Sequence, residues 1–452
     1  MALTMTPGPA LDSTLPVSRR GDPPPGTTLG TPPGFGISAT LAANEVLDGR
    51  RRRGEPVLPM AFGEAGLSVH PLLCDALAAA AATGANSYGP VAGSMALRTA
   101  AASYWNRRDL PTEPDAVVCG PGSKALLYAL VAAIGGDIAV TRPSWVSYAA
   151  QANLAGASAH LVPAAAGGVP DAAALARAVA TARGNGRNIR AVIITLPDNP
   201  TGTLATPAAV RAVCSVAEQY GLIIISDEIY RDLIHDDAPK FESPTKFLSE
   251  RTVVTTGLSK NLALGGWRLG VARLPPGDLG RELRDRLLAI GSEIWSAPAN
   301  PVQHAAAYAF TEPAELIEHV TRSRRLHAAV AREVALRFAA CGTTVARPQA
   351  AFYVYPDFGP LADVLLERHG ITSDVGLADM LLRSYGVGVL PASSFGEQAW
   401  RLRLRVATGM LYGETAAQRG AALTAPDPCG LPWIAAALTR LEEVLGTLTG
   451  TT

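Results

Sequence analysis

The stretch TTGLSKNLALGGWRLG, residues 255–270, places a lysine among small and apolar residues. The chain has 35 arginines but only four lysines, and the next basic residue after Lys260 is Arg268. An ammonium group enclosed by apolar side chains must be paired, neutral or covalently bonded, because burying an isolated charge is costly. Lys260 is therefore a candidate for chemistry. The alternative is a lysine at the core edge whose ammonium group reaches water along its apolar stem.

The sequence around this stretch alternates between short apolar runs and helical patterns. Strands are predicted at 116–119, 137–141, 191–196, 222–226, 252–256 and 269–273, and helices at 124–133, from about 145, and at about 207–220. Continuous apolar strands separated by helices are typical of a parallel sheet that is covered on both faces. We expect an α/β fold, in which a large domain has a mainly parallel sheet covered by helices and a smaller domain is α+β.

The length of 452 residues favours two domains. Residues 1–35 are rich in Pro, Gly and Thr and predict a disordered or arm-like extension. Residues 36–60 are expected to join the small domain. The large domain is predicted at 61–305, and the small C-terminal domain at 306–452.

The composition excludes several classes of protein. Lys plus Arg equals Asp plus Glu at 39 each, so no basic excess favours nucleic acid as a partner. No apolar run approaches the length of a membrane helix. Five scattered cysteines fit the reduced thiols of a cytoplasmic protein. The seven histidines show no ligand spacing, so we expect no metal site.

Polar residues follow several predicted strands at the point where each strand ends. Residues 198–202, 227–230 and 257–260 each follow a strand, and residues 120–124 follow an earlier strand and open a helix. Ligands of parallel sheets bind outside the carboxyl ends of the strands, and helix N-termini with small residues bind phosphate. A lysine, a carboxylate and a phosphate site at one sheet edge are what pyridoxal phosphate requires.

An ordered series of motifs then identifies a family. Along the chain these are YGPVAG at 88–93, LR at 97–98, GPGSK at 120–124, PSW at 143–145, NPTG at 199–202, DEIY at 227–230, SK at 259–260, GWR at 266–268, and an arginine before AT at 407–408. From about residue 38 to the C-terminus the chain resembles fold type I pyridoxal-phosphate enzymes of the class I/II aminotransferase family. NPTG alone would be a weak signal, whereas the whole series in this order is specific.

The resemblance implies roles for the residues around the cofactor ring. Lys260 is expected to form the Schiff base and to carry the proton between the substrate α-carbon and the cofactor. Asp227 is expected to pair with the protonated ring nitrogen. Asn199 and Tyr230 are expected to hydrogen-bond the ring 3-hydroxyl oxygen. Trp145 is expected to stack on the ring, although an aromatic residue at this point can equally be a packing residue.

The resemblance also implies a phosphate site and a partner subunit. Gly122 and Ser123 are expected to bind the phosphate from the helix start, and Arg268 is expected to pair with it. Lys124 is expected to be a solvated residue of the first helical turn; the alternative is a contact with the phosphate. Tyr88 is expected to reach the phosphate of the other subunit, which makes the protein a homodimer with shared active sites.

Two positions are expected to contact the substrate carboxylate. By resemblance, Arg403 binds it bidentately, and the Gly63 backbone provides a second contact. Arg405 is a rival, because residues two apart on a strand share a face, and Arg401 is a weaker one. The spacing to AT at 407–408 favours Arg403.

The resulting prediction is an aminotransferase that acts on an amino acid and passes the amino group to a 2-oxo acid by a ping-pong route. The alternative keeps the cofactor but catalyses elimination, replacement, decarboxylation or cyclisation. The alternative arises because FGEAGLSVH at 62–70 departs from the Gly-x-Pro-Asp-Phe pattern of the family. A cofactor-sensing regulator fused to a DNA-binding module is disfavoured, since residues 1–35 are too short and proline-rich for a winged helix.

Overall fold

The computed structural model describes residues 39–450, so the predicted extension at 1–35 lies outside the described residues. Its strands are β1 (Leu58–Pro59), β2 (Val117–Gly120), β3 (Asp137–Arg142), β4 (Ala159–Ala166), β5 (Val169–Pro170), β6 (Ile189–Thr195), β7 (Ile223–Asp227), β8 (Thr252–Gly257), β9 (Gly270–Arg273), β10 (Tyr353–Val354), β11 (Val387–Gly388), β12 (Leu390–Pro391) and β13 (Leu404–Ala407). Its helices are α1 (Ala39–Arg52), α2 (Pro71–Ala82), α3 (Met95–Asn106), α4 (Ser123–Ile134), α5 (Ser147–Leu154), α6 (Ala172–Gly184), α7 (Pro207–Tyr220), α8 (Gly277–Ile294), α9 (Asn300–Phe310), α10 (Ala314–Ala340), α11 (Ala362–His369), α12 (Asp374–Tyr385), α13 (Ala416–Thr424) and α14 (Pro432–Thr449).

The main sheet has eight strands in the order β2-β9-β8-β7-β6-β3-β4-β5. The central pairs β8–β7, β7–β6, β6–β3 and β3–β4 are parallel. The strand β9 is antiparallel to both of its neighbours, and β5 is antiparallel to β4 at the far edge. The predicted α/β class with a mainly parallel sheet is therefore confirmed.

Helices cover both faces of this sheet, and β6 shows how. Ile193 packs in a core cluster with residues of α4 and α8, whereas Val192 and Ile194 pack in a second cluster with residues of α6 and α7. Successive side chains of a strand point to opposite faces, so a strand buried on both sides is apolar at every position. This explains why the apolar runs predicted the strands.

The predicted helix at about 207–220 coincides with α7, because its two ends carry strong local signals. The Thr206 side chain accepts a hydrogen bond from the backbone N–H of Ala209 at 3.3 Å, and Pro207 occupies the first turn. Gly221 ends the helix in the left-handed conformation, with φ 71°.

The chain after α9 forms helices around two small sheets. One sheet pairs β1 with β11, and the other has the order β10-β13-β12. The long helix α10 packs against α14 and α13 in the core cluster of this region. Within residues 39–450, no helix combines the length and the apolar character needed to cross a membrane. The domain boundaries at 60 and 305 stay predictions.

Candidate active site

The carboxyl ends of three adjacent parallel strands lie level at one edge of the sheet. In the strand register, Thr195 at the end of β6 pairs with Asp227 at the end of β7, and Asp227 pairs with Thr255 of β8. A cavity of about 480 Å³ opens at this edge. Its walls include most of the predicted site residues: Gly63, Ser123, Trp145, Asn199, Asp227, Tyr230, Lys260 and Arg268.

Lys260 reaches into this cavity from the loop after β8. Its Nζ donates a hydrogen bond to the carbonyl oxygen of Gly63 at 2.6 Å. Burial lowers the pKa of Lys260 to about 8; the positive charges of Arg405 and Arg268 also lower it, while Glu64 and Asp227 raise it. With this pKa about a tenth of the lysines are neutral at pH 7, far more than for an ordinary lysine, and a nucleophile or proton carrier must be neutral to act.

Asp227 ends β7 and is 3% exposed. The hydroxyl group of Tyr148 donates a hydrogen bond to its Oδ2 at 2.9 Å, and Thr255 Oγ1 donates to its Oδ1 at 3.3 Å. Burial raises the pKa of Asp227 to about 6, although these hydrogen bonds act in the opposite direction. Such a carboxylate gains by pairing with a cationic group that enters the cavity.

The start of α4 forms a cradle for an anion. Gly122 precedes the helix with φ 89°, and Ser123 is its first residue. A side chain at Gly122 would clash with the guanidinium group of Arg268, so only glycine allows that group to lie over the helix N-terminus. Arg268 forms no ion pair with any residue in the described range. Free backbone N–H groups together with a guanidinium group suit a phosphate.

Three further predicted residues complete the walls. The Oδ1 atom of Asn199 is buried and has no hydrogen-bond partner. The hydroxyl group of Tyr230 shares a hydrogen bond of 2.7 Å with that of Tyr353. Trp145 packs edge-to-face on Tyr148 at 5.3 Å between ring centroids, and the ammonium group of Lys124 lies 5.2 Å from its ring centroid. Lys124 is exposed in the first turn of α4, and it also borders the cavity.

The structure does not bring Arg403 to the cavity. Its Nε donates to Asp357 Oδ2 at 2.8 Å, and its Nη1 donates to Glu397 Oε1 at 3.2 Å. Arg405 lies two residues further along, roughly 6.6 Å at the rise of a strand, and lines the cavity. The sequence could not decide between the two arginines, because residues two apart on a strand share a face. The two acidic partners of Arg403 distinguish it from Arg405. The structure therefore brings the rival Arg405, and not Arg403, to the cavity. Arg401 also lies outside the cavity walls.

Arg405 has the surroundings that a carboxylate-binding residue needs. It is 3% exposed, donates from Nη2 to the carbonyl oxygen of Ala61, and keeps a buried Nε without a hydrogen-bond partner. Its guanidinium carbon lies 5.1 Å from the ring centroid of Tyr353. A side chain at Gly63 would clash with the Tyr353 hydroxyl group and approach Arg405 Nη1 to 3.2 Å, so the glycine keeps this corner open.

Tyr88 is not part of the cavity wall. Its side chain is 94% exposed. The expected contact between Tyr88 and the phosphate of another subunit therefore stays a prediction.

Two site residues were missed by sequence reasoning. Tyr148 follows Trp145 by three positions, so the helix predicted from about residue 145 would place both on one face and bring Tyr148 to the site. In the structure α5 begins at Ser147, and Tyr148 lies in its first turn. Tyr353 carries no comparable signal, because it comes from β10, far along the chain.

A model of the family described as aminotransferase class I and II matches residues 41–411. The chain belongs to this family. It is an enzyme of the pyridoxal-phosphate-dependent transferase class, and its activity is amino transfer. The alternative chemistries of elimination, replacement, decarboxylation or cyclisation are not favoured by its relatives.

Curated relatives and solved structures agree with this assignment. The chain is 31% identical over 392 residues to an aspartate aminotransferase of Geobacillus stearothermophilus, covering 84% of this chain and 95% of that protein. It is 30% identical over 379 residues to a probable aspartate/prephenate aminotransferase of Thermus aquaticus, covering 82% and 92%. The structure of the aspartate aminotransferase from Thermus thermophilus with maleate matches at a TM-score of 0.76 and 26% identity, covering 90% of this chain and 97% of that one.

Proposed function

We propose that the cavity binds pyridoxal phosphate and transfers an amino group from an amino acid to a 2-oxo acid by a ping-pong route, with Lys260 as the covalent anchor and proton carrier. One observation carries the proposal. The Nζ atom of Lys260 lies in the same cavity as the Asp227 carboxylate and the anion cradle at the start of α4. Membership of the aminotransferase class I and II family supports the interpretation of this combination as a pyridoxal-phosphate site.

The residues present fit this cofactor on physical grounds. The cradle of Gly122, Ser123 and Arg268 offers positive charge and N–H groups for a phosphate dianion. The orphaned Oδ1 of Asn199 shows that a buried polar group still needs a partner in this cavity. Asp227 suits a protonated pyridine nitrogen. Asn199 and Tyr230 would hold the ring hydroxyl oxygen, and Trp145 would cover a ring face.

When bound, pyridoxal phosphate supplies an electron sink for the bond that breaks at the substrate α-carbon. The protein supplies the rest. Asp227, whose pKa is about 6, is mostly ionised at neutral pH and would hold a proton on the ring nitrogen. Lys260 Nζ, with its pKa of about 8, can take up a proton from the α-carbon and return it to the cofactor.

Arg405 is the residue that we assign to the substrate carboxylate. A buried guanidinium group without an acidic partner gains charge-assisted hydrogen bonds when a carboxylate enters. The backbone of Gly63 borders the same corner of the cavity. The donor substrates to try first include aspartate, because relatives are named for aspartate and for prephenate.

A second copy of the chain completes the proposed site. Tyr88 is 94% exposed and lies outside the cavity wall, so its expected role at the phosphate requires a homodimer in which each subunit lends Tyr88 to the other. Sedimentation of the purified protein tests this assembly directly. A monomer with full activity would contradict it.

The test of the function uses the absorption spectrum of the loaded enzyme. Each amino acid of a panel that includes aspartate is added in turn, followed by a 2-oxo acid. We expect the visible band of the pyridoxal form to give way to the near-ultraviolet band of the pyridoxamine form, and the 2-oxo acid to restore it. A band that no amino acid converts, or that converts without reversal, contradicts amino transfer at this site.

A further inference from the structure

Four side chains form a hydrogen-bonded cluster behind the Lys260 loop, which we define as residues 258–264. Asp232 is its centre. Its carboxylate accepts hydrogen bonds from the Tyr104 hydroxyl group at 3.0 Å, from Arg108 Nη2 at 3.0 Å and from Asn261 Nδ2 at 2.9 Å. We call Tyr104, Arg108, Asp232 and Asn261 the Asp232 cluster. None of its members lines the cavity that holds Lys260.

The Asp232 cluster ties together two segments that carry proposed catalytic residues. Asn261 directly follows Lys260, and Asp232 lies two residues after Tyr230, in the short turn Arg231–Leu233. The other two donors come from α3 and the residues just after it. A single carboxylate therefore links the Lys260 loop and the Tyr230 turn to one rigid helix.

Packing holds the three leucines of the loop, which are buried in a core cluster, but it does not fill the space around Asn261. A cavity of about 310 Å³ lies against the loop, with Leu258, Asn261 and Leu262 among its walls. Atoms that border open space lack van der Waals partners on that side. The loop also contains Ala263 in the left-handed backbone conformation, with φ 55°, which a residue other than glycine rarely adopts without outside restraint. The backbone hydrogen bond from Leu264 N–H to the Leu258 carbonyl oxygen closes the loop, and the hydrogen bond from Asn261 to Asp232 anchors the residue next to Lys260.

We propose that Asp232 is a positioning residue for amino transfer, because through Asn261 it fixes the loop that holds Lys260 Nζ against the carbonyl oxygen of Gly63. The proposal rests on the proposed role of Lys260. Asp232 itself touches neither that cavity nor Lys260. Arg108 holds the carboxylate in place, and Glu312 in turn binds Arg108.

The first test needs no cofactor. In the apoenzyme, the pH dependence of the labelling rate of Lys260 by an amine-reactive reagent is measured by peptide mass spectrometry. The wild-type side chain is expected to titrate near 8, since it is desolvated. In Asn261→Ala the freed loop lets water reach Nζ, and we expect this midpoint to rise by about one pH unit toward the ordinary lysine value. In the loaded enzyme, kcat should fall about tenfold with KM within about twofold.

A swap of the two partners separates positioning from general stability. Asn261→Asp alone places two carboxylates in contact and should lower kcat further than Asn261→Ala. The double variant Asp232→Asn with Asn261→Asp restores an amide–carboxylate pair and should recover most of the kcat and the Lys260 titration midpoint. Asp236→Asn is the matched control, because Asp236 lies on the same segment but is exposed and paired with Arg324 on the surface.

The outcomes are distinct. An unchanged Lys260 midpoint and kcat in Asn261→Ala overturn the proposal. A loss in Asn261→Asp that the double variant does not rescue, and that follows the melting temperature, also overturns it, because the cluster would then be purely structural. If Lys260 of the wild-type protein titrates like an exposed lysine, that result contradicts the proposed role of Lys260. The inference about Asp232 is then overturned as well, because it rests on that role.

Discussion

Two arginines at β13 differ by two positions in sequence and completely in surroundings. Arg403 binds two carboxylates, those of Asp357 and Glu397, and lies outside the cavity. Arg405 is buried in the cavity wall without any acidic partner among the described residues. Both residues are arginines, Arg403 directly before β13 and Arg405 within it, so the difference lies in the charges that the fold places nearby. A guanidinium group paired with two carboxylates fits a structural role, and we propose ligand binding for the unpaired one.

The same contrast separates the cavity from the protein surface. Four cations line the cavity, and none forms an ion pair with a residue in the range 39–450: Lys124, Lys260, Arg268 and Arg405. Many surface arginines are instead paired within their own helices, as Arg322 is with Glu318 and Arg383 with Asp379. Excess positive charge in an enclosed space selects anions, and a phosphate and a carboxylate are the two that the proposed reaction brings.

The largest effect is expected from removing the reactive cation of the cavity. Lys260→Ala should lower kcat by about 10⁴-fold or more, because it removes both the covalent anchor and the proton carrier. Lys246→Ala is the matched control, since Lys246 is an exposed lysine paired with Glu242. Steady-state turnover with the best amino donor is the measurement. Turnover that survives in Lys260→Ala would remove the basis of the whole assignment.

The next prediction tests the comparison of the two arginines directly. Arg405→Ala should raise the KM for the amino donor by about 10²-fold, because a buried charge–carboxylate pair is worth several kcal/mol. Arg403→Ala should change that KM by less than about threefold, since its partners are Asp357 and Glu397. Cofactor affinity, measured by fluorescence titration of each apoenzyme, should stay near wild type in both. The reverse order of KM values would restore Arg403 as the carboxylate-binding residue.

A buried histidine extends the comparison of paired and unpaired cations. Unlike an arginine, a histidine can release its proton when no partner balances its charge. His327 Nδ1 shares a hydrogen bond of 2.6 Å with the Tyr412 hydroxyl group, and its Nε2 is buried without a partner. Burial lowers the pKa of His327 to about 3, from 6.5. Between pH 6.5 and 3 the unfolded state therefore binds a proton at His327 that the folded state does not bind. The free energy of unfolding falls as the pH drops through this range.

We expect this histidine to contribute a loss of about 2 kcal/mol in the free energy of unfolding between pH 7 and pH 5. The measurement is urea denaturation at both pH values. His327→Gln can keep the hydrogen bond to Tyr412 but does not titrate, so its loss over the same interval should be smaller by about that amount. Equal losses in the two proteins would show that folding does not lower the pKa of His327.

The smallest effect on cofactor affinity is expected from removing a hydrogen bond that holds the Asp227 carboxylate. Tyr148→Phe removes the hydroxyl group that donates to Asp227 Oδ2, and should weaken cofactor binding to the apoenzyme by about tenfold, the usual worth of a hydrogen bond to a charged group. Tyr355→Phe is the control, because its buried hydroxyl group has no hydrogen-bond partner. A cofactor affinity in Tyr148→Phe that equals that of Tyr355→Phe would mean that Thr255 and the backbone suffice to hold Asp227.

Much of the fold could be predicted from the sequence, because its signals are local. Strands buried on both faces are continuous apolar runs, and α7 has a capping threonine, an early proline and a final glycine. The strand β4 was not predicted, because its alanines and single proline give no β-branched run and its side chains are partly exposed.

The candidate site was predictable where a motif follows a strand end, as for Asn199, Asp227 and Lys260. It was not predictable where the decision depends on partners distant in sequence. The choice between Arg403 and Arg405 depends on Asp357 and Glu397, which the fold brings to Arg403 from 46 and 6 positions away. Tyr353 likewise reaches Tyr230 from 123 positions away. Spacing along one strand contains no information about such contacts.

Reduction of the loaded enzyme shows which amine holds the cofactor, which we expect to be Lys260. The enzyme loaded with pyridoxal phosphate is reduced with borohydride, digested, and analysed by mass spectrometry for the lysine that carries the pyridoxyl group. We expect the label on Lys260 alone among the four lysines. A label on Lys124, Lys240 or Lys246, or no covalent label in an enzyme that still turns over, would contradict it.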